Sequence, residues 1–398
     1  MVKVINLEIF KRFLKSNTAG GILLMLCVVA SLIIANSSLG ANFEIFLSKS
    51  IGYESADVHL KYPILLWIND GLMAIFFFLV GLEIKRELIE GELSSIKHAS
   101  LPIFAAIGGM LVPALIYALV NLNSPTSHGW GIPMATDIAF AIAVISLLGE
   151  KVPLALKIFL TALAIVDDLG AILVIAFFYT NELDLSYLPY IFGALIFLFA
   201  LNYFNIQSVI FYIIPGIFLW YFIHGFGVHA TIAGVLTAFF LPTNDVDAYS
   251  PLEKLEHFLV KPVNFLIMPI FALANTNIKF ESEMINGLFS NLSMGVILGL
   301  ILGKPIGIAL MSYMAVKLKV SELPNGTKWI QMIGLGMLAG IGFTMSIFIA
   351  LLSFPEAEFQ TQAKFSILLA SILSGSMGYI LLRYFHKKQE LTKNQVEI

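Results

Sequence analysis

Leu163-Ala164-Ile165-Val166-Asp167-Asp168-Leu169-Gly170-Ala171-Ile172 puts two adjacent carboxylates at the centre of an apolar run covering 155–178. A helix of that length reaches across the ~30 Å hydrocarbon core of a bilayer. An ionised aspartate at mid-depth costs roughly 2.5–3.5 kcal/mol on insertion scales, so each needs a partner, a cavity or a function. Four residues pose that problem, Asp137, Asp167, Asp168 and Lys304, all inside apolar runs.

The rest of the chain explains why lipid is its solvent. Of its 398 residues 59% are hydrophobic and only 12% charged, with a mean hydropathy of +0.90. Soluble domains carry about a quarter charged residues. Spanning segments of the necessary length are predicted at 17–36, 59–82, 99–120, 130–149, 155–178, 187–203, 206–222, 226–241, 259–275, 291–314, 330–353 and 364–385. The expected fold is therefore an all-α integral membrane protein of about twelve transmembrane helices, one polytopic domain over 1–398. Lys and Arg test the topology, because cytoplasmic loops carry their excess. Eighteen of the 23 fall on one side, Lys85, Arg86, Lys254, Lys317 and Arg383 among them, and only Lys49, Lys61, Lys279 and Lys364 on the other, with Lys304 inside a helix. Both termini are thus expected in the cytoplasm, and the first helix is read as retained rather than cleaved. The net charge of −3 includes no basic block, which argues against nucleic-acid binding. A single cysteine, Cys27, excludes an internal disulfide and a cysteine-based metal or redox site.

Two of the segments are interrupted. In the fourth, Gly129, Gly131 and Pro133 lead into Ala135-Thr136-Asp137; in the eleventh, Gly334, Gly336, Gly340 and Gly342 lead into Phe343-Thr344. Glycines also let membrane helices pack closely, but broken helices in corresponding positions of two halves point to a transporter binding site. If the two breaks cross, paired helix N-termini carry partial positive charge and paired C-termini partial negative charge. Asp137 would then offset the first and Lys304 the second. The alternative for Lys304, followed by Pro305 and Gly307, is that it snorkels to an interface.

Adjacent residues on a helix point about 100° apart, so Asp167 and Asp168 do not share one direction. One would contact an ion while the other meets Lys304. A carboxylate offers oxygen to a small hard cation and can bind a proton instead. That mutual exclusion is the chemistry of exchange. Two other readings stand beside it: a proton-coupled carrier of an organic solute, and an intramembrane aspartyl protease, which needs its aspartates on two helices. Asp70, after Asn69, is either a helix-pairing residue or a functional one. His224 and His229, five apart, are poorly spaced for two ligands on one helix face. Glu83, Lys85, Arg86, Glu87 and Glu90, and likewise Lys254, Glu256 and His257, read by default as solvated charged faces.

At these same residues the sequence resembles the NhaA family of bacterial sodium/proton antiporters. The resemblance rests on Gly81-Leu82-Glu83-Ile84-Lys85-Arg86-Glu87-Leu88, on Ala135-Thr136-Asp137-Ile138-Ala139-Phe140-Ala141, and on Asp167-Asp168-Leu169-Gly170-Ala171-Ile172. It continues in Gly227-Val228-His229-Ala230-Thr231-Ile232-Ala233-Gly234, Gly303-Lys304-Pro305-Ile306-Gly307 and Gly340-Ile341-Gly342-Phe343-Thr344-Met345-Ser346-Ile347-Phe348. The family implies twelve helices with inverted repeats, crossed broken helices at the fourth and eleventh positions, and electrogenic exchange of sodium or lithium for protons by alternating access, with no cofactor. It further implies that Asp167 and Asp168 carry sodium and proton, that Lys304 pairs with the first, and that Asp137 and Thr136 compensate charge at the breaks. Glu83, Lys85, Arg86, Glu87, His229, Lys254, Glu256 and His257 match positions that shape pH response. One departure is Val260-Lys261-Pro262, where the family pattern has a second histidine before the proline. The stretch 42–62 matches a periplasmic dimer-forming hairpin in place, implying a homodimer in the bacterial inner membrane.

Overall fold

The computed structural model describes residues 7–55, 59–180, 183–243 and 250–396. Lys3, and positions 56–58 of the expected hairpin, lie outside them. The described chain forms two compact units, each assembled from separated stretches. The first takes the residues up to Leu23, Glu92–Ala171 and those from Glu281 onward; the second takes Leu24–Gly91 and Ile172–Phe280.

In chain order, α1 is Leu7–Ala35, and a short helix Gly40–Ser48 precedes the antiparallel strands β1 (Ser50–Glu54) and β2 (His59–Pro63). Then come α2 (Ile64–Ile89), α3 (Ile96–Val120), a 3₁₀ stretch Ser127–Met134 leading into α4 (Ile138–Leu147), and α5 (Leu154–Phe178). They are followed by α6 (Leu188–Tyr203), α7 (Ile210–Phe226), α8 (Ile232–Phe240), α9 (Pro251–Asn275) and α10 (Asn291–Lys317). The last are α11 (Trp329–Ala339), α12 (Phe343–Ser353) and α13 (Ala357–Val396). Among the described residues nine helices are long and apolar enough to cross a membrane, or ten when the bent pair α11 and α12 is taken as one span. Exposed Phe192, Ile196 and Phe199 on α6, and Ile217 and Phe218 on α7, form apolar outer surfaces that water would disfavour and lipid accommodates.

Helix starts follow local capping chemistry. Ser95 accepts from the His98 amide at α3, Ser290 from Ser293 at α10, and Ser250 with Glu253 makes a reciprocal capping box at α9. Segments expected at 206–222 and 226–241 begin later in the structure, as α7 and the nine-residue α8. Asn205, at φ 52°, holds a left-handed turn before α7, and Gly227, at φ 99°, ends it.

In the first unit α10 packs against α3 along Gly299, Gly303 and Gly307, spaced four apart on one face. A Cβ on Gly307 would run into the Gly108 carbonyl, and one on Gly108 into that of Gly307, so the two backbones touch directly. In the second unit α2 and α8 pack as closely: a Cβ at Gly81 would lie 2.8 Å from Ala238 Cβ. Such approach leaves little room for relaxation, so the residues these helices carry are held in fixed places.

Candidate functional site

The 49° bend between α11 and α12 and the end of the 3₁₀ stretch before α4 meet in the first unit. Their exposed backbone groups satisfy one another. The Thr136 hydroxyl donates to the Ala339 carbonyl at 2.8 Å, the Asp137 amide to the Ile341 carbonyl at 2.7 Å, and the Ser346 hydroxyl to the Ile132 carbonyl at 2.7 Å. Asp137, 1% exposed, accepts from the Phe140 amide at 3.1 Å as the N-cap of α4. Its other oxygen accepts from the Thr344 amide at 3.1 Å and from the Thr344 hydroxyl, in the first turn of α12. One carboxylate therefore closes two helix N-termini, where partial positive charge accumulates. Hydrogen bonds to a charged group contribute roughly 1.5–3 kcal/mol each. Asp137→Ala is expected to lower the melting temperature in detergent well below that of Asp137→Asn, which keeps an acceptor; equal melting of the two variants would contradict this capping role.

A buried cation of the unit is Lys304 on α10. It follows a π-helical turn, Gly299–Gly303, and is fully buried, which rules out snorkelling. Its ammonium donates to Asp167 Oδ2 at 2.5 Å. Asp167 and Asp168 are each 2% exposed on α5. Lys304 also lies within electrostatic reach of Asp168. Among the described residues Asp167 Oδ1 has no hydrogen-bond partner, so the pair leaves a buried carboxylate oxygen unmet beside a second carboxylate. A group in that position calls for a proton, a water or a small cation.

The remaining predicted residues lie in the second unit and separate into two groups. Arg86 bridges Glu87 at 3.0 Å and Glu256 at 3.3 Å, and Glu83 shares their electrostatic field. Lys85 donates to the carbonyls of Phe239 (2.7 Å) and Leu241 (2.6 Å), capping the C-terminal end of α8 with a cation. Lys254 and His257 are exposed on the same helix, α9, as the buried Glu256. His229 is elsewhere: its Nε2 lies 3.5 Å from Asp70, thirteen residues and therefore about 20 Å along α2 from Glu83.

Comparison with known proteins shows the family. The profile of a family described as Na+/H+ antiporter 1 matches residues 11–382. The chain belongs to that family. It is 62% identical to the Na(+)/H(+) antiporter NhaA 2 of Flavobacterium johnsoniae over 98% of this chain and 96% of that protein. It is 49% identical to the NhaA of a Shewanella species over 94% and 96%, and 47% identical to that of Pelagibacter ubique over 95% and 98%. As a member of the Na+/H+ antiporter 1 family the protein is a secondary transporter and not an enzyme, which disposes of the aspartyl-protease reading.

Sequence reasoning gave this antiporter no role for Ser346, Ser371 or Ser374. Ser371 on α13 accepts from the Phe343 amide at 3.2 Å, and Ser374 donates to the Met337 carbonyl at 2.8 Å, so α13 braces both sides of the α11–α12 bend. Serines spaced three apart within the apolar stretch 367–382 were the available signal. Nor did spacing bring His224 and His229 together, yet both reach Asp70.

Proposed function

We propose that the protein exchanges sodium or lithium for protons across the bacterial inner membrane, with Asp168 binding cation and proton in alternation and Asp167 held as the counter-charge of Lys304. The observation that carries this reading is the buried Asp167–Lys304 bond at 2.5 Å beside Asp168, with one Asp167 oxygen unmet. A single lysine balances one of two carboxylates, so the residual negative charge suits one monovalent cation or one proton at a time. No redox centre or cofactor is required for that competition. Asp137 and Thr136 steady the paired breaks, which we read as crossing interrupted helices of an inverted-repeat fold. Counting α7, α8 and the α11–α12 pair with the nine longer spans supports twelve transmembrane helices and termini on one side, which the Lys and Arg excess makes the cytoplasm. Sodium- and lithium-dependent proton movement in proteoliposomes tests the exchange itself.

The β1–β2 hairpin supports a homodimer, since β1 is exposed along its whole length and its edge is open to a second copy. The Glu83–Arg86–Glu87–Glu256 group with Lys85, Lys254 and His257 supports a pH response in which these residues tune exchange without carrying ions. Glu256 is buried and tied to Arg86, so its charge is coupled to that of its neighbours. Glu256→Gln and His257→Ala are each expected to displace the pH profile of exchange while leaving maximal rates within a few-fold of the parent. Exchange lost at every pH in a folded variant would contradict that division of labour.

A further inference from the structure

Asp70 lies in a π-helical turn of α2, Trp67–Leu72, that has no role in the exchange site. The carboxylate is buried and approached from two sides: His224 Nδ1 stands 3.5 Å from Oδ2, and His229 Nε2 stands 3.5 Å from Oδ1. His229 is fixed on its other side by the Thr231 hydroxyl at 2.8 Å. The two imidazoles converge because Gly227 turns the chain sharply after α7. His224 stacks on Trp220 at 5.8 Å and 13°, Trp220 stacks on Trp67 at 6.0 Å and 23°, and Tyr62 of β2 meets the His224 ring at 5.1 Å and 75°. Trp67 Nε1 donates to the Ile51 carbonyl of β1 at 3.1 Å. Both strands of the hairpin are therefore tied to this one cluster, β1 through Trp67 and β2 through Tyr62.

We propose that His224 and Asp70 form a proton-binding site distinct from Asp167 and Asp168, and that the bound proton latches the β1–β2 hairpin onto α7. A neutral His224 leaves the 3.5 Å approach to Asp70 weak. Protonated, it gains the carboxylate's attraction and the electron-rich faces of its aromatic neighbours, so the whole stack tightens. One proton is taken up rather than two, because a single carboxylate cannot offset two imidazolium charges that repel each other. The other titratable groups around the pair are Tyr62 on β2, Tyr221 on α7, and Tyr187 with Asp184 ahead of α6. Burial raises the Tyr62 hydroxyl above its ordinary value, so Tyr62 stays neutral while His224 titrates. No arginine or lysine is bonded to Asp70 among the described residues, so the two imidazoles are its cation partners.

The site contains its own reporters, Trp67 and Trp220, two of the four tryptophans in the chain. With Trp130→Phe and Trp329→Phe as background, and without sodium, fluorescence is expected to fall in one step as pH is lowered, because a protonated imidazole stacked on an indole quenches it. His224→Gln is expected to abolish the step, and Asp70→Asn to move it to lower pH by removing the charge that favours the imidazolium. Asp168→Asn is expected to leave it in place. Deuterium uptake by amides at 50–55 and 59–62, corrected for the intrinsic pH dependence of exchange, should slow several-fold below the step in the parent and lose that pH dependence in His224→Gln. His224 is partly exposed, at 24%, so its variant folds even where Asp70→Asn does not. A step that survives in His224→Gln, or hairpin uptake that ignores pH in the parent, overturns the proposal. Because no arm of the test involves sodium, such a result leaves the exchange reading untouched.

Discussion

Asp168→Asn is expected to abolish sodium-driven proton movement at every pH, and with it sodium binding measured by calorimetry. Asparagine keeps the size and one oxygen of the side chain but neither binds a proton in this range nor supplies the negative charge a cation needs at a site 2% exposed. The variant is expected to melt close to the parent, because it keeps the buried bond between Lys304 and Asp167 and a side chain of the same size. That pairing of lost exchange with preserved stability separates a carrier from a structural residue. Retained sodium binding would contradict the assignment.

The second large effect is opposite in kind. Lys304→Gln alone leaves Asp167 charged in the interior with its partner gone, and Asp167→Asn alone does the same to Lys304. Breaking a buried pair on one side costs about 3–5 kcal/mol, whereas removing both charges is often neutral or better. The double variant is therefore expected to melt above Lys304→Gln, with a coupling energy of roughly 1–3 kcal/mol in a double-mutant cycle. The short Lys304–Asp167 contact and the 0% exposure of the lysine are the grounds for expecting non-additivity. Strictly additive melting shifts would contradict the ion pair.

What could be read from the chain itself followed a physical divide. Depth in the bilayer is a local property, so hydropathy placed Asp137, Asp167, Asp168 and Lys304 in apolar runs with nothing else known. Glycines weaken helices locally, so the bend between α11 and α12 was legible as well. Asp137 three residues before Phe140 is a recognisable N-cap, but its second set of partners comes from Thr344, 207 residues away, and no local pattern encodes that. The same holds for Lys304 and Asp167, 137 residues apart, where charge balance alone suggested a pairing and could not choose between the two aspartates. The two histidines failed for a different reason. A separation of five diverges only on one continuous helix, whereas the left-handed Gly227 between them redirects the backbone and brings both imidazoles to Asp70. The late starts of α7 and α8 share that cause, because hydropathy averages across a turn that φ makes abrupt.

Sodium- and lithium-driven proton flux in proteoliposomes holding the purified protein, parent beside Asp168→Asn at matched incorporation, tests the central claim most directly. The parent is expected to collapse an imposed pH gradient on addition of sodium or lithium and the variant to leave it standing. A parent that leaves the gradient unchanged by either ion, or a variant that collapses it as fast as the parent, would contradict the account.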